Sequence, residues 1–263
     1  MAVKVGVFGA VGRMGATVCR AVVGDPALEL AAVVDPQHSG IDLSQVVRDD
    51  VPHLAVSGHA QAMAEAGVDV AIDFTHLDAA RSNLSWCAAE GVHAVVGTTG
   101  FGPVDYERLR AEFTTSNCIV APNFAIGAVL MMRFAELAAP YFDTAEIIEL
   151  HHDQKVDAPS GTAMLTAERM AAASSEWAED PTTTVVVEGA RGGRMTGGIP
   201  VHSVRLRGLV AHQEVLMGTT GQVLTIRHDS IDRSSFMPGV LLAVKEVASR
   251  PGLTVGLDAL LDL

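Results

Sequence analysis

The sequence predicts an α/β protein: a doubly wound parallel sheet with a smaller, mainly antiparallel sheet domain of α+β type. Three observations carry this. A short β-branched strand runs into a glycine turn and a helix. Strand and helix patterns then alternate to about residue 124. Past residue 141 the rhythm changes to short strand-like runs with few helices.

Residues 2–8 are apolar and β-branched, as a buried parallel strand requires. Gly9-Ala10-Val11-Gly12-Arg13-Met14-Gly15 follows, then a helical pattern closed by Gly24-Asp25-Pro26, then a strand over 28–34 ending at Asp35. Such glycines permit a tight turn and let a pyrophosphate approach a helix N-terminus. An acid at the end of the next strand is placed to accept hydrogen bonds from an adenosine ribose. The spacing is G-x-x-G-x-x-G, and taken alone it also marks a phosphate-free turn. The strand–turn–helix–strand–acid context makes it a Rossmann-like dinucleotide site. Asp35 repels a 2′-phosphate, and Pro36 and Gln37 follow it instead of an arginine. NADH is therefore expected to be preferred and NADPH tolerated, with Arg13 the nearest base.

The alternation continues. Residues 51–58 read as either strand or loop, 60–66 as a short helix and 68–74 as an apolar strand. A helix over 77–90 has Gly91 at its C′ position. A strand over 92–96 runs into Gly97-Thr98-Thr99-Gly100; a helix over 105–114 and a strand over 118–121 lead to Ala121-Pro122-Asn123-Phe124. Both loops end parallel strands, where ligands of such sheets bind, though each also reads as an ordinary turn.

Residues 126–139 form an amphipathic helix with Ile126, Val129, Leu130, Phe134 and Leu137 on one face. The second sheet is expected from runs at 144–150, 183–188, 201–206, 212–217 and 222–227. Residues 171–184 read as an exposed connection. Arg191 and Arg194, in a glycine-rich loop, read as solvated in preference to anion-binding. A helix over 236–249 and a strand over 253–257 close the chain. The pattern thus divides the chain into 1–123 plus 231–263, a dinucleotide-binding domain, and 124–230, a second domain that carries the mainly antiparallel sheet.

One stretch concentrates the chemistry: Glu149-Leu150-His151-His152-Asp153-Gln154-Lys155-Val156-Asp157-Ala158-Pro159-Ser160-Gly161-Thr162-Ala163. It lies between a strand, with Ile147, Ile148 and Leu150 apolar, and a helix anchored by Met164, Leu165 and Met170. Ser160 is the expected N-cap. A helix N-terminus attracts carboxylates, Gly161 admits backbone close to a ligand, Lys155 adds positive charge, and His151 and His152 can supply protons near neutral pH. An anionic molecule that must be protonated suits this place. A solvated loop reads equally well from His-His-x-x-Lys alone, and a metal site is the weaker third reading.

The composition supports a well-buried core: 263 residues, 49% hydrophobic and 19% charged. A net charge of −13 argues against nucleic-acid or anionic-membrane binding, so local cations around the loop carry more weight. Cys19, Cys87 and Cys118 are scattered without metal spacing, which suits packing roles in a reducing cytoplasm. No run approaches the ~20 apolar residues of a membrane span, and no secretory pattern opens the chain.

Taken together, the glycine turn, Gly97-Thr98-Thr99-Gly100, Ala121-Pro122-Asn123-Phe124 and the 149–163 stretch resemble the 4-hydroxy-tetrahydrodipicolinate (dihydrodipicolinate) reductase family over essentially the whole chain. The run from Ile199 through His202 and Leu209-Val210-Ala211-His212-Gln213-Glu214 looks like its actinobacterial branch. The resemblance implies NAD(P)H-dependent reduction of a small anionic cyclic dicarboxylate in diaminopimelate and lysine synthesis. It implies His151 and Lys155 as catalytic groups, and His152, Gly161 and Thr162 as substrate contacts. Gly9, Ala10, Val11, Gly12, Arg13, Met14, Asp35, Gly97, Thr98, Thr99, Ala121, Pro122, Asn123 and Phe124 would hold the cofactor. It implies no metal, a cytoplasmic homotetramer joined through the second-domain sheets, and a first domain completed by the C-terminal segment. Some relatives carry arginine after the ribose-binding acid and lysine at the Val11 position; both are absent here. Two other readings stay open: a reductase of another anionic imine or amino acid, and a non-enzymatic nucleotide sensor.

Overall fold

Short β-branched runs alternating with helices build the first of two sheets. The structure is a computed structural model describing residues 2–47 and 51–261. The chain divides into two units, Met1–Phe124 with Phe236–Leu263, and Ala125–Ser235.

The first unit runs β1 (Val3–Phe8), α1 (Arg13–Val23), β2 (Leu28–Val34), α2 (Ser44–Val47), α3 (Gln61–Glu65), β3 (Val70–Asp73), α4 (Leu77–Glu90), β4 (His93–Val96), α5 (Pro103–Glu112) and β5 (Cys118–Val120). The second contributes α6 (Ile126–Ala138), β6 (Thr144–His151), α7 (Gly161–Ala173), β7 (Gly193–Arg194), β8 (Pro200–Arg205), β9 (Ala211–Thr219) and β10 (Gln222–Ser230). The first unit then resumes with α8 (Met237–Glu246) and β11 (Leu253–Val255).

All neighbours in the first sheet are parallel, in the order β11-β5-β4-β3-β1-β2. The order reverses beside β1, the switch at which such sheets bind ligands at their carboxyl ends. Val5, Val7, Ile72, Val95 and Ile119 are fully or almost fully buried, as strands covered on both faces require. α4 ends at Gly91 in the left-handed conformation, at φ 72°. Residues 51–58 are mainly loop, touching the sheet through a single bridge from Ser57 to Val34, while Ala55 bridges to Asp42. Asn117 fastens the returning segment: its Nδ2 donates to the carbonyls of Val247 and Ala248, and its Oδ1 accepts from Gly252 N–H. All three cysteines are free and buried, and burial pushes the Cys19 thiol up to about 12.

The second sheet has the order β10-β9-β6-β8-β7 and is mixed. Its pairings are antiparallel except β6 with β8, which run parallel. The sheet is thus mainly antiparallel, as expected, with one parallel pair, and α7 lies in the crossover between its two strands. The expected strand over 183–188 does not form. Val185, Val186 and Val187 are exposed, so β-propensity finds no sheet edge to join there.

The helices of this unit also correct the sequence reading. α6 buries Ala128, Val129, Met131, Met132 and Ala135, while Phe134 and Leu137 are about half exposed, at 48% and 54%. Small residues allow close approach: a Cβ on Gly127 would stand 2.5 Å from the His228 ring of β10. α7 likewise buries Ala163, Thr166, Ala167 and Met170 and leaves Met164 exposed. Periodicity shows that an apolar stripe exists, but when two stripes compete, fit to the neighbour decides.

Candidate active site

In the first unit the glycine turn is built by steric necessity. Gly9 sits at φ +69°, and its N–H donates to Val34 O at 2.8 Å, tying the turn to the end of β2. A Cβ on Gly15 would lie 2.0 Å from Gly9 O, so only glycine lets α1 start this close to the strand. Gly12 caps α1 in extended conformation with no side-chain hydrogen bond, and Arg13 lies exposed at the first helical position. Ala10 is buried; Val11 and Met14 are half-buried beside it. Asp35, at the end of β2, is 9% exposed. Its Oδ1 accepts from Gln37 N–H at 3.2 Å and lies 3.0 Å from His38 Nδ1.

The other two strand-end loops are held by residues the sequence reading passed over. Asp73, 2% exposed at the end of β3, accepts from Thr98 Oγ1 at 2.8 Å, from Thr75 N–H and Oγ1, and from Asn83 Nδ2. Phe74 covers Gly97 so closely that a Cβ there would come within 2.0 Å of its ring. It also packs on Phe124 at 5.8 Å between centroids. Ala121 N–H donates to Val96 O. The loops containing Gly97, Thr98 and Thr99, and Ala121, Pro122, Asn123 and Phe124, thus meet at Phe74, with Asp73 holding the first of them through Thr98. The available signal was an acid followed by an aromatic closing an apolar strand at the ligand-binding edge. This cradle fits a dinucleotide: a close-approach turn, a helix N-terminus and a buried acid one strand away.

In the second unit the strand-to-helix loop forms as the sequence implies. Ser160 caps α7, its Oγ accepting from Ala163 N–H at 3.2 Å, a bond worth about 1 kcal/mol. Gly161 is exposed, and a Cβ there would meet nothing within 4 Å. Thr162 accepts at its carbonyl from Thr166 Oγ1, which in turn accepts from Gln213 Nε2 at 2.8 Å. His151 and His152 are half-buried. Lys155 Nζ donates to both oxygens of Asp157, at 2.8 and 2.7 Å, and that bond from Lys155 holds the Asp157 carboxyl below its ordinary value. Asp153 pairs with Arg207, whose side chain is 92% exposed, so this contact contributes little.

Beneath the loop is a group the sequence reading quoted but gave no role. Glu149 is fully buried, its Oε2 2.5 Å from His151 Nδ1 and its Oε1 accepting from Ser160 N–H at 3.2 Å. Arg205 donates to both of its oxygens at 2.8 Å. Arg191 and Arg194 are not simply solvated: Arg191 pairs with Glu146 and Asp180, and Arg194 with Asp180. His202 closes that cluster, with Nε2 2.5 Å from Glu146. Among the described residues there is no cluster of three metal-ligating side chains, and no helix is long and apolar enough to cross a membrane.

A close-approach glycine turn in one unit, and protonatable side chains around a helix N-terminus in the other, define a pyridine-nucleotide-dependent reductase. Comparison with known proteins makes this particular. Residues 3–124 match the profile of dihydrodipicolinate reductase, N-terminus, and residues 127–261 that of dihydrodipicolinate reductase, C-terminus. The chain belongs to the dihydrodipicolinate reductase family. It is 52% identical to the 4-hydroxy-tetrahydrodipicolinate reductase of Cutibacterium acnes and 51% to that of Mycobacterium ulcerans, each over 99% of both chains. A dipicolinate-bound dihydrodipicolinate reductase from Paenisporosarcina sp. TG-14 superposes with a TM-score of 0.85 at 41% identity, covering 98% of this chain and 99% of that one. An amine dehydrogenase from Mycobacterium smegmatis, at 14% identity and TM-score 0.67, shares the fold alone. Membership decides between the readings left open by the sequence: the activity is the reduction of 4-hydroxy-tetrahydrodipicolinate in the diaminopimelate route to lysine.

Proposed function

We propose that His151 and Lys155 supply and relay the proton of this reduction, while His152, Gly161 and Thr162 hold the substrate's carboxylates. The observation that carries this reading is the capped α7 N-terminus with Gly161 open beside it, on the same loop as His151 and Lys155. The positive end of the α7 dipole and an ammonium together suit a dianion. The dipicolinate held by the Paenisporosarcina relative is a ligand of that chemistry.

The cofactor would be held by Gly9, Ala10, Val11, Gly12, Arg13 and Met14 at the pyrophosphate turn, and by Asp35 at the ribose. Gly97, Thr98, Thr99 and Ala121, Pro122, Asn123, Phe124 would line its nicotinamide end. When bound, it supplies the hydride. The chain's own residues do the rest: Asp73 and Phe74 fix the two nicotinamide loops, Lys155 and the α7 N-terminus orient the carboxylates, and His151 holds the proton. NADH is the preferred cofactor in this reading, because the carboxylate of Asp35 opposes a 2′-phosphate. A homotetramer joined through the second sheet is supported by half-buried Ile148, Leu150, Val204 and Leu216 on that sheet.

The direct experiment generates the substrate in place from pyruvate and aspartate semialdehyde with the preceding synthase, and follows oxidation of NADH and NADPH by absorbance. Synthase-dependent turnover with the higher kcat/KM for NADH is the expected result. A clearly higher value for NADPH would overturn the role given to Asp35.

Gly161→Ala separates binding from folding. Its Cβ has open space, so the melting free energy should stay within about 0.5 kcal/mol. If substrate approaches the helix N-terminus, KM for the dicarboxylate should rise about tenfold, equivalent to about 1.4 kcal/mol. An unchanged KM would remove Gly161 from the substrate site.

A further inference from the structure

We propose that Glu149 and Arg205 are the positioning pair of the proton donor. The buried carboxylate fixes the His151 ring with a proton on Nδ1 and leaves Nε2 as the nitrogen that exchanges with substrate. Arg205 locks that carboxylate to the backbone of the Lys155 loop. This rests on the reading of His151 as an acid and adds the device that orients it.

The geometry follows from strand register. Side chains two apart on a strand share a face, so Glu149 and His151 lie together on β6. Parallel pairing sets Ser203 opposite Glu149 and Arg205 opposite His151. Burial alone would raise the Glu149 carboxyl, but hydrogen bonds from His151, Arg205 and Ser203 outweigh it and hold the group at about 2. An ionised carboxylate can only accept. The nitrogen 2.5 Å away, His151 Nδ1, must therefore carry the hydrogen, which assigns the lone pair of the neutral ring to Nε2.

The same pair reaches the rest of the loop. Glu149 Oε1 accepts from the N–H of Ser160, the α7 cap. Arg205 Nη2 donates to the Asp157 carbonyl at 2.7 Å, two residues beyond Lys155, and Nη1 donates to its neighbour Val204 O. One buried ion pair thus joins the strand of His151, the substrate-binding helix and the loop of Lys155. The groups facing Glu149 are His151 on its own strand, Arg205 and Ser203 on β8, Ser160 N–H on α7 and, from β9, its register partner, the neutral Gln213. His212, next on β9, is paired with Asp229 at 2.6 Å.

Two measurements on the full-length enzyme test this. Histidine-labelled ¹⁵N NMR, with His151 assigned by substitution, should show the neutral Nδ1–H tautomer; an Nε2–H tautomer overturns the proposal. The pH profile of kcat supplies the second. Glu149→Gln removes the anion but leaves Arg205, so the protonated ring costs more, and the limb where rate falls with rising pH moves to lower pH. Arg205→Met removes the cation but leaves the anion, and the same limb moves to higher pH. Opposed shifts are expected, with kcat in Glu149→Gln lowered about 100-fold and KM held within about threefold. Glu149→Asp should recover most of the loss.

Equal losses with no opposed shift would reduce the pair to scaffolding and overturn the proposal. Melting curves accompany each variant. If Glu149→Gln does not fold, the wild-type spectrum and the Arg205→Met profile decide the matter. Full turnover in His151→Asn would instead refute the acid role itself, and the NMR result separates that failure from this one.

Discussion

Lys155→Ala is expected to cut kcat by about 10²–10³, with NADH affinity unchanged within about twofold. In the structure the ammonium rests against both oxygens of Asp157, 20% exposed, while Asp157 remains 58% exposed. On the reading proposed above, a dicarboxylate docking at the α7 N-terminus would compete with Asp157 for that cation, and Lys155 would serve both charge and proton delivery. Alanine removes both and leaves an uncompensated carboxylate beside an anionic ligand, so KM should rise as well. Asp157→Asn separates the two effects: it frees the ammonium without removing it, and should preserve kcat far better than Lys155→Ala. The cofactor contacts assigned to the first unit contain none of these groups, so NADH titration by fluorescence serves as the control. An unchanged kcat in Lys155→Ala would sink its assignment as proton donor.

Gly15→Ala should disrupt the first unit. The added Cβ would stand 2.0 Å from Gly9 O, 2.7 Å from Gly9 C and 2.8 Å from Ala10 Cα, all backbone atoms that cannot rotate away. Relief requires α1 to lift from the sheet, yet Val18, Cys19 and Val22 on that helix are completely buried. Overpacking of this kind costs about 3 kcal/mol or more, a drop of roughly 6–12 °C in Tm for a chain of this size. NADH affinity should fall at least about tenfold as the helix N-terminus leaves the turn. Gly12→Ala is the comparison. Its Cβ would meet Gly9 O at 3.2 Å, so melting should change little. A wild-type melting curve for Gly15→Ala would show that the helix can shift without cost and that this glycine is not sterically required.

Much of the fold was legible because its signals are local. The helix Leu77–Glu90 and its Gly91 terminus were readable from periodicity and a single left-handed position. Ser160 was readable as a cap from the Pro-Ser-Gly-Thr boundary. What failed depended on partners. The valines at 185–187 carry β-propensity with no strand to receive them. The stripe of α6 ending in Phe134 and Leu137 lost to the face that carries Ala128, Met131, Met132 and Ala135, because fit to the neighbouring elements decides which face is buried. The composition of their loop does not disclose the partners of Arg191 and Arg194, whose environment is set by Asp180 and Glu146.

The sequence by itself determined the glycine turn, the acid at Asp35, the strand-end loops and the placement of His151, Lys155 and Gly161 around a helix start. Each is written within a few residues, where backbone period, capping and φ preference act directly. Only the tertiary structure decided that Glu149 lies beneath His151 and joins Arg205, 56 residues away, and that Asp73 holds Thr98. Those pairings depend on strand register and on which faces become buried. Register is fixed by the packing of the whole sheet, because a one-residue slip would turn every side chain to the opposite face.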